Sequence, residues 1–323
     1  MIETLQSLRF IFVMMIFLSH FAYRDISAFD AGGDCGVAFF FMLSGFVCSL
    51  SYGKRLREGQ FSYGVFLWKR VRKLYPLHLF CLLFYLLVSH APLDLKVLLN
   101  ALLLQSWIPD ADWYFSCNKV SWFLSSLLFC YLVFPWVYRH LSKYLTLVIL
   151  TAYIAVYCLT PYDRVNAVLY VFPVVRFVDF YIGMLLCQFY EQKKALVFPK
   201  GTELWLMLVL LLTLAVYPFT DAKLRNAPLY WVVLIPVILV FVQEKGLVSS
   251  VLKTRPMLFL GSLTMPFFLI HQMLIGILIH RLPEMPVLLM LAICLFVALI
   301  ISRGVQIIFS RLLRLGSYKG RDK

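Results

Sequence analysis

Long apolar runs alternate with short polar connections along most of the chain. Each run approaches the roughly 20 apolar residues that a helix needs to cross a bilayer, and few charged residues interrupt it. The pattern predicts an all-α polytopic membrane protein, with one transmembrane domain over residues 1–323, about ten spans and no appended soluble domain. The predicted spans are residues 5–23, 36–52, 74–91, 119–137, 145–160, 171–190, 203–219, 228–243, 257–280 and 285–310.

Composition supports the same class of protein. The chain is 62% hydrophobic and 14% charged, and its mean hydropathy is +0.86, whereas a soluble domain is roughly 45–50% apolar and about 25% charged. The net charge of +14 would suit a nucleic-acid binder, but the cations lie in short loops between the apolar runs. We therefore expect the lipid bilayer as a partner and no nucleic acid.

The loop cations also predict the orientation of the chain. If the N-terminus is cytoplasmic, most loop lysines and arginines lie inside and acidic residues such as Asp110 lean outside, so the positive-inside rule predicts that both termini are cytoplasmic. The most basic loop, "KRLREGQFSYGVFLWKRVRK" (54–73), is predicted to form an interfacial segment on the cytoplasmic leaflet. No cleavable signal precedes the first run, which we expect to remain as a span.

The first predicted span carries an arginine and a histidine, in "RFIFVMMIFLSH" from Arg9 to His20. Eleven residues at about 100° each return to nearly the same helix face, roughly 16 Å further along the axis. Ionisable residues within a span are candidates for a functional site. The alternative is structural: Arg9 would then anchor the topology, and His20 would bond to a neighbouring carbonyl.

Other candidates are more isolated. Arg176 and Asp179 are three residues apart and can pair on one helix face, for which a structural role is favoured. His271 lies within an apolar run. The cysteines and histidines lack metal-ligand spacing, so no metal site is predicted. Cys35 and Cys117 fall in predicted outer loops, and whether they pair is left open.

Six stretches in order resemble the membrane-bound acyltransferase family 3, integral membrane O-acyltransferases of the polysaccharide and exopolysaccharide O-acetyltransferase type. The first is a cation followed by ten residues and a histidine, which here are Arg9 and His20. The others are "GVAFFFMLSGFVCSL", which contains Ser44; the cation pair and Tyr-Pro of Arg70, Lys73, Tyr75 and Pro76; "WFLSSLLFCYLVFP", which contains Trp122 and Ser125; "RFVDFYIGM"; and "LGSLTMPFFLIHQ".

The chain departs from the family pattern at three of these positions. Many members have Asp where Ala38 stands and Glu where Leu127 stands, and the family usually has Arg in place of Lys73. A mechanism that needs a carboxylate at position 38 or 127 is therefore not available here.

The resemblance implies O-acyl transfer, usually of acetyl from cytoplasmic acetyl-CoA, which is a co-substrate rather than a bound cofactor. The acceptor would be a hydroxyl of a carbohydrate or lipid-linked glycan, and the expected location is the bacterial inner membrane, within the cell envelope. His20 would be the catalytic base, with either direct transfer or an acetylated histidine. Arg9, Arg70, Arg72 and Lys73 would bind the CoA phosphates, and His271, Ser44, Trp122, Ser125, Arg176 and Asp179 would support the site.

Two other functions compete with this interpretation. A glycan or lipid transporter or flippase would explain the spans and the buried charge, but it predicts broken helices in two related halves, and no internal repeat is evident. A non-catalytic scaffold would be expected to lose Arg9 and His20, and both are present.

Overall fold

A computed structural model describes residues 2–21, 32–192, 198–226 and 229–318. Within these ranges the chain forms helices and no strands, which confirms the all-α prediction. The α-helices are α1 (Glu3–Ser19), α2 (Gly33–Arg57), α3 (Tyr63–Ser89), α4 (Leu95–Ala101), α5 (Ala111–Tyr114), α6 (Trp122–Arg139), α7 (Lys143–Leu159), α8 (Pro173–Gln192), α9 (Thr202–Val216), α10 (Ala222–Arg225), α11 (Leu229–Phe241), α12 (Leu247–Leu252), α13 (Arg255–Arg281) and α14 (Val287–Tyr318).

Every predicted span coincides with a helix, but fewer helices are long enough to cross a membrane. By length and composition six described helices qualify. The count is seven if α7 and the helical segment Tyr162–Val171, which follows it at an angle of 117°, form one span. Helix α1 has only 17 residues and α9 only 15. The bundle is thus polytopic and helical, while the count of about ten spans stays a prediction.

Polar side chains set where several helices begin. Ser62, Asp94 and Ser142 precede α3, α4 and α7, and each accepts a hydrogen bond from a backbone N–H in the first turn of its helix. These caps satisfy donors that have no partner within the helix. The cap at Ser62 divides the predicted basic segment 54–73 between the end of α2, a short turn and the first three turns of α3.

Helices α2 and α8 cross at two glycines. A methyl group added at Gly45 would overlap the carbonyl oxygen of Phe180, and one added at Gly183 would overlap that of Met42. Small residues allow helix backbones to approach this closely, which increases van der Waals contact in an apolar environment. Because Gly45 faces α8, its neighbour Ser44 is directed to another side of α2, where the candidate site lies.

The connection between α3 and α6 is tied down by buried hydrogen bonds. The side chain of Asn100 binds the hydroxyls of Ser116 and Ser121, and the hydroxyl of Ser125 donates to the carbonyl oxygen of Leu103 at 2.6 Å. These bonds fix a loop-rich segment against the start of α6.

The two cysteines whose pairing the sequence left open are both free thiols. Cys35 lies in the first turn of α2 and is buried rather than in a loop, whereas Cys117 is partly exposed in the connection before α6. No disulfide links them in the structure.

Candidate active site

A cavity of about 490 Å³ opens between α1, α2, α3, α6 and α13. Three cations, Arg9, Arg70 and Lys73, contribute to its wall, and most of the remaining wall is apolar. Arg70 and Lys73 are three residues apart on α3, so the helical period places both on the cavity side. The structure thus brings together three of the four cations that the resemblance implied for donor binding.

The three cations have no carboxylate partner among the described residues. Arg70 instead lies within reach of three aromatic rings, with its guanidinium carbon 5.3 Å from the ring centre of Tyr52, 5.5 Å from that of Phe66 and 5.3 Å from that of Tyr131. Such rings stabilise a cation without neutralising it. A cluster of positive charge that lacks a counterion is suited to an anionic ligand.

Arg70 also has a buried hydrogen-bond donor that a ligand could use. Its Nε is buried and has no hydrogen-bond partner among the described residues, although an unsatisfied buried donor is costly. A phosphate oxygen would supply the missing acceptor. Arg72 does not line the cavity, because it lies on another side of α3, and its role in donor binding stays a prediction.

Ser44 lines the same cavity on α2, and Tyr131 lines it on α6. Tyr131 in turn is one of the rings around Arg70. Ser44 therefore forms part of the cavity wall, and a role in supporting the site stays a prediction. Tyr52 and Tyr131 were not singled out by the sequence, because an aromatic residue within an apolar run carries no signal of its own.

The two predicted site histidines meet at the far end of α1. Nδ1 of His20 lies 2.8 Å from Nε2 of His271, and the two rings stack with their centres 5.0 Å apart. Nδ1 of His271 lies 3.0 Å from the carbonyl oxygen of Phe267. The side chain of His271 is fully buried, whereas His20 is half-buried.

This chain of hydrogen bonds fixes the tautomers of the neutral pair. A carbonyl oxygen only accepts, so Nδ1 of His271 carries a proton and its Nε2 accepts. Nδ1 of His20 must then donate to that Nε2, which leaves the lone pair of His20 Nε2 available. Nε2 of His20 can thus accept a proton, and the hydrogen bond from Nδ1 to His271 holds the ring in place.

Three other predicted site residues have structural partners. Arg176 and Asp179 are buried and joined at 2.9 Å, Arg176 also donates to Tyr170 and Asn226, and Trp231 donates to Asp179. The hydroxyl of Ser125 is used by the connection before α6. These bonds hold neighbouring segments of the chain together.

Trp122 packs against Tyr170, with ring centres 4.7 Å apart. It does not line the cavity. It therefore lies beside the site at the start of α6, and a direct part in it stays a prediction.

Comparison with known proteins identifies the chain. Residues 2–303 match the family model described as an acyltransferase domain, which is nearly the whole sequence. The chain belongs to acyltransferase family 3. Its apolar helices and this membership make it an integral membrane protein.

One curated relative of this family member is an acyltransferase, MdmB of Streptomyces mycarofaciens. The two are 30% identical over 161 residues, which cover 44% of this chain and 40% of MdmB. The chain thus aligns with about two fifths of that relative's length. No solved structure gives a significant match.

This member of acyltransferase family 3 has apolar residues at two positions where many members carry a carboxylate. Leu127, where many members have Glu, lines the cavity, and Ala38 is buried in α2. Neither position therefore supplies a carboxylate, and only position 127 lies in the cavity wall.

Proposed function

We propose that the protein is a membrane O-acyltransferase that moves an acyl group, most often acetyl, from cytoplasmic acyl-CoA to a hydroxyl of a carbohydrate or lipid-linked glycan. One observation carries this proposal. The cavity contains three cations that lack a counterion among the described residues, and the histidine pair lies at the other end of α1, the helix that contributes Arg9 to the cavity. The family membership supports acyl transfer as the reaction.

The cavity has the chemistry that a CoA ester requires. Arg9, Arg70 and Lys73 would bind its phosphates, since guanidinium and ammonium groups form strong charge-assisted bonds to phosphate oxygens. The slim pantetheine arm would follow the apolar wall away from these cations. Arg9 is eleven residues before His20 on α1, so the phosphates and the reacting thioester would be separated along the length of that helix.

A single base can carry the proton of this reaction from the acceptor hydroxyl to the leaving group. Nε2 of His20 takes the proton of the acceptor hydroxyl as the hydroxyl oxygen bonds to the thioester carbonyl carbon. The tetrahedral intermediate then collapses, the carbon–sulfur bond breaks, and the imidazolium returns its proton to the leaving thiolate to give free CoA. His271 holds the His20 ring through Nδ1 and stabilises the imidazolium while it exists.

Arg70→Gln is expected to weaken CoA binding by about tenfold to a hundredfold, because a charge-assisted contact to phosphate contributes on the order of 1.5–3 kcal/mol. Calorimetry at low salt on purified protein measures the effect. Lys69→Gln is the matched control, since it removes a cation from the neighbouring position of α3 that does not line the cavity. Equal affinities for wild type and folded Arg70→Gln would contradict the assignment of the phosphate site.

The orientation follows from this assignment, since the cation end of the cavity must face the compartment that holds CoA. We expect the protein in a bacterial inner membrane with both termini cytoplasmic. Reporter fusions after Asp110 and at Lys323 should report opposite sides of the membrane. The same side for both fusions would contradict the orientation.

A further inference from the structure

A second cavity, of about 170 Å³, lies where α9 begins, beside the connection from α11 to α12. It shares no lining residue with the cavity that contains Arg9. Gln243 lies in its wall, and the next residue, Glu244, accepts a hydrogen bond from the backbone N–H of Glu3 at 2.6 Å. The second cavity is therefore at the end of the bundle where α1 begins.

The wall of the second cavity contains a buried carboxylate. Glu203 is only 5% exposed, and it accepts two hydrogen bonds from Ser249, one from the hydroxyl and one from the backbone N–H at 2.9 Å. No cation forms an ion pair with Glu203 among the described residues, although Lys200 and Lys245 line the same cavity. Because a buried charge is costly without an opposite charge beside it, a ligand with an ammonium group would stabilise Glu203.

The other polar groups of the second cavity suit an anion. Lys200 and Lys245 are exposed and form no ion pair within the described part of the chain. Nε2 of Gln243 is buried and has no hydrogen-bond partner there. The first backbone N–H groups of α9, which begins at Thr202, have no partner within their own helix, and a helix N-terminus favours negative charge. The second cavity thus combines groups that attract a cation with groups that attract an anion.

An apolar stripe on α9 continues from the second cavity. Leu204 lines the cavity, and Leu204, Leu208 and Leu211 are 52%, 45% and 63% exposed. Their spacing of four and three residues places them on one face of the helix. Trp205 is also exposed, and tryptophan is enriched at the interface between membrane and water. A hydrocarbon chain that leaves the cavity can therefore follow this face of α9 into the lipid.

We propose that the second cavity binds a phospholipid whose head group carries a primary ammonium beside its phosphate, as in phosphatidylethanolamine. The ammonium binds the carboxylate of Glu203, the phosphate binds Lys200 and Lys245, and an acyl chain follows the exposed leucines of α9. A choline head group has no N–H to donate to Glu203, and a glycerol head group has no positive charge. The site therefore distinguishes phospholipids by their head groups, and this inference does not depend on the proposed function.

The test is native mass spectrometry of the purified full-length protein, titrated in detergent with one lipid at a time. The three lipids are phosphatidylethanolamine, phosphatidylcholine and phosphatidylglycerol with the same dioleoyl chains, and the affinity is that of the first lipid bound. Wild type is expected to bind phosphatidylethanolamine about tenfold more tightly than either of the others, as a hydrogen bond between charged groups allows. Glu203→Gln should abolish this preference. Lys200→Gln combined with Lys245→Gln should weaken the binding of all three lipids by about tenfold, because all three carry the phosphate.

Glu58→Gln is the control, because Glu58 pairs with Lys54 at 3.8 Å and does not line the second cavity. It should keep the wild-type affinities. Both lysines are exposed, so the double variant tests the phosphate contacts even if Glu203→Gln does not fold. Equal affinities of wild type for the three lipids would overturn the proposal, as would an unchanged preference in folded Glu203→Gln or unchanged affinities in the lysine variant. Free phosphoethanolamine that displaces the lipid at equal concentration would overturn the assignment to a lipid.

Discussion

His20→Ala is expected to abolish acyl transfer, with a loss of at least ~10²-fold in rate per folded molecule. The variant removes the nitrogen whose lone pair is left available by the hydrogen bonds through His271 to the carbonyl oxygen of Phe267. The cation end of the cavity is unaffected, so CoA should bind with wild-type affinity. CoA release from acetyl-CoA and calorimetry with CoA, measured on the same sample, separate the two effects.

The partner histidine provides an internal comparison. His271→Ala should lower the rate less than His20→Ala, because it removes the group that orients the base but not the base itself. His280→Ala is the control, since it removes an exposed imidazole from the same helix. If His20→Ala keeps near-normal transfer while His271→Ala does not, the base is His271 and not His20.

Gly183→Ala is expected to reduce the amount of folded protein sharply. The added methyl group would overlap the carbonyl oxygen of Met42, and a backbone atom cannot move aside as a flexible side chain can. Forcing α2 and α8 apart would also disturb Gly45 and the wall that carries Ser44. Overpacking of this kind costs typically about 1–3 kcal/mol, which is measurable as a lower melting temperature and a lower monodisperse fraction in size-exclusion chromatography.

Gly276→Ala is the matched control for this substitution. Gly276 is also within a helix, but a methyl group added there would meet no atom within 4 Å. It should therefore fold as well as wild type. Equal thermal stability for Gly183→Ala and Gly276→Ala would show that the close crossing of α2 and α8 does not contribute to stability.

Much of the site could be predicted because its polar residues stand out in an apolar sequence. Arg9 and His20 share a helix face by spacing alone, and Arg70 and Lys73 do so by theirs. The contact between His20 and His271 could not be predicted, because 251 residues separate them and spacing along one helix gives no information about its neighbour. The i, i+3 spacing predicted the pairing of Arg176 with Asp179 but not its buried partners, Asn226 and Trp231.

The apolar part of the site could not be predicted from the sequence patterns. Phe40, Phe123 and Phe268 line the cavity. They lie within runs that are hydrophobic throughout, so the sequence does not distinguish a phenylalanine in the cavity wall from one in the core. The number of spans stays a prediction for a related reason, since hydropathy marks apolar runs but not where a helix ends or bends. Helix α7, for example, is followed by a sharp bend before the next apolar turn.

The central claim, that CoA binds with its charged end at Arg9, Arg70 and Lys73, is tested most directly by photo-crosslinking. An acetyl-CoA analogue with a photoreactive group on its adenine ring would be irradiated with the purified protein, and the labelled peptides identified by mass spectrometry. We predict labelling at the start of α1 and in the first three turns of α3, suppressed by excess acetyl-CoA. Labelling confined to other segments, or labelling that excess acetyl-CoA does not suppress, would contradict the account.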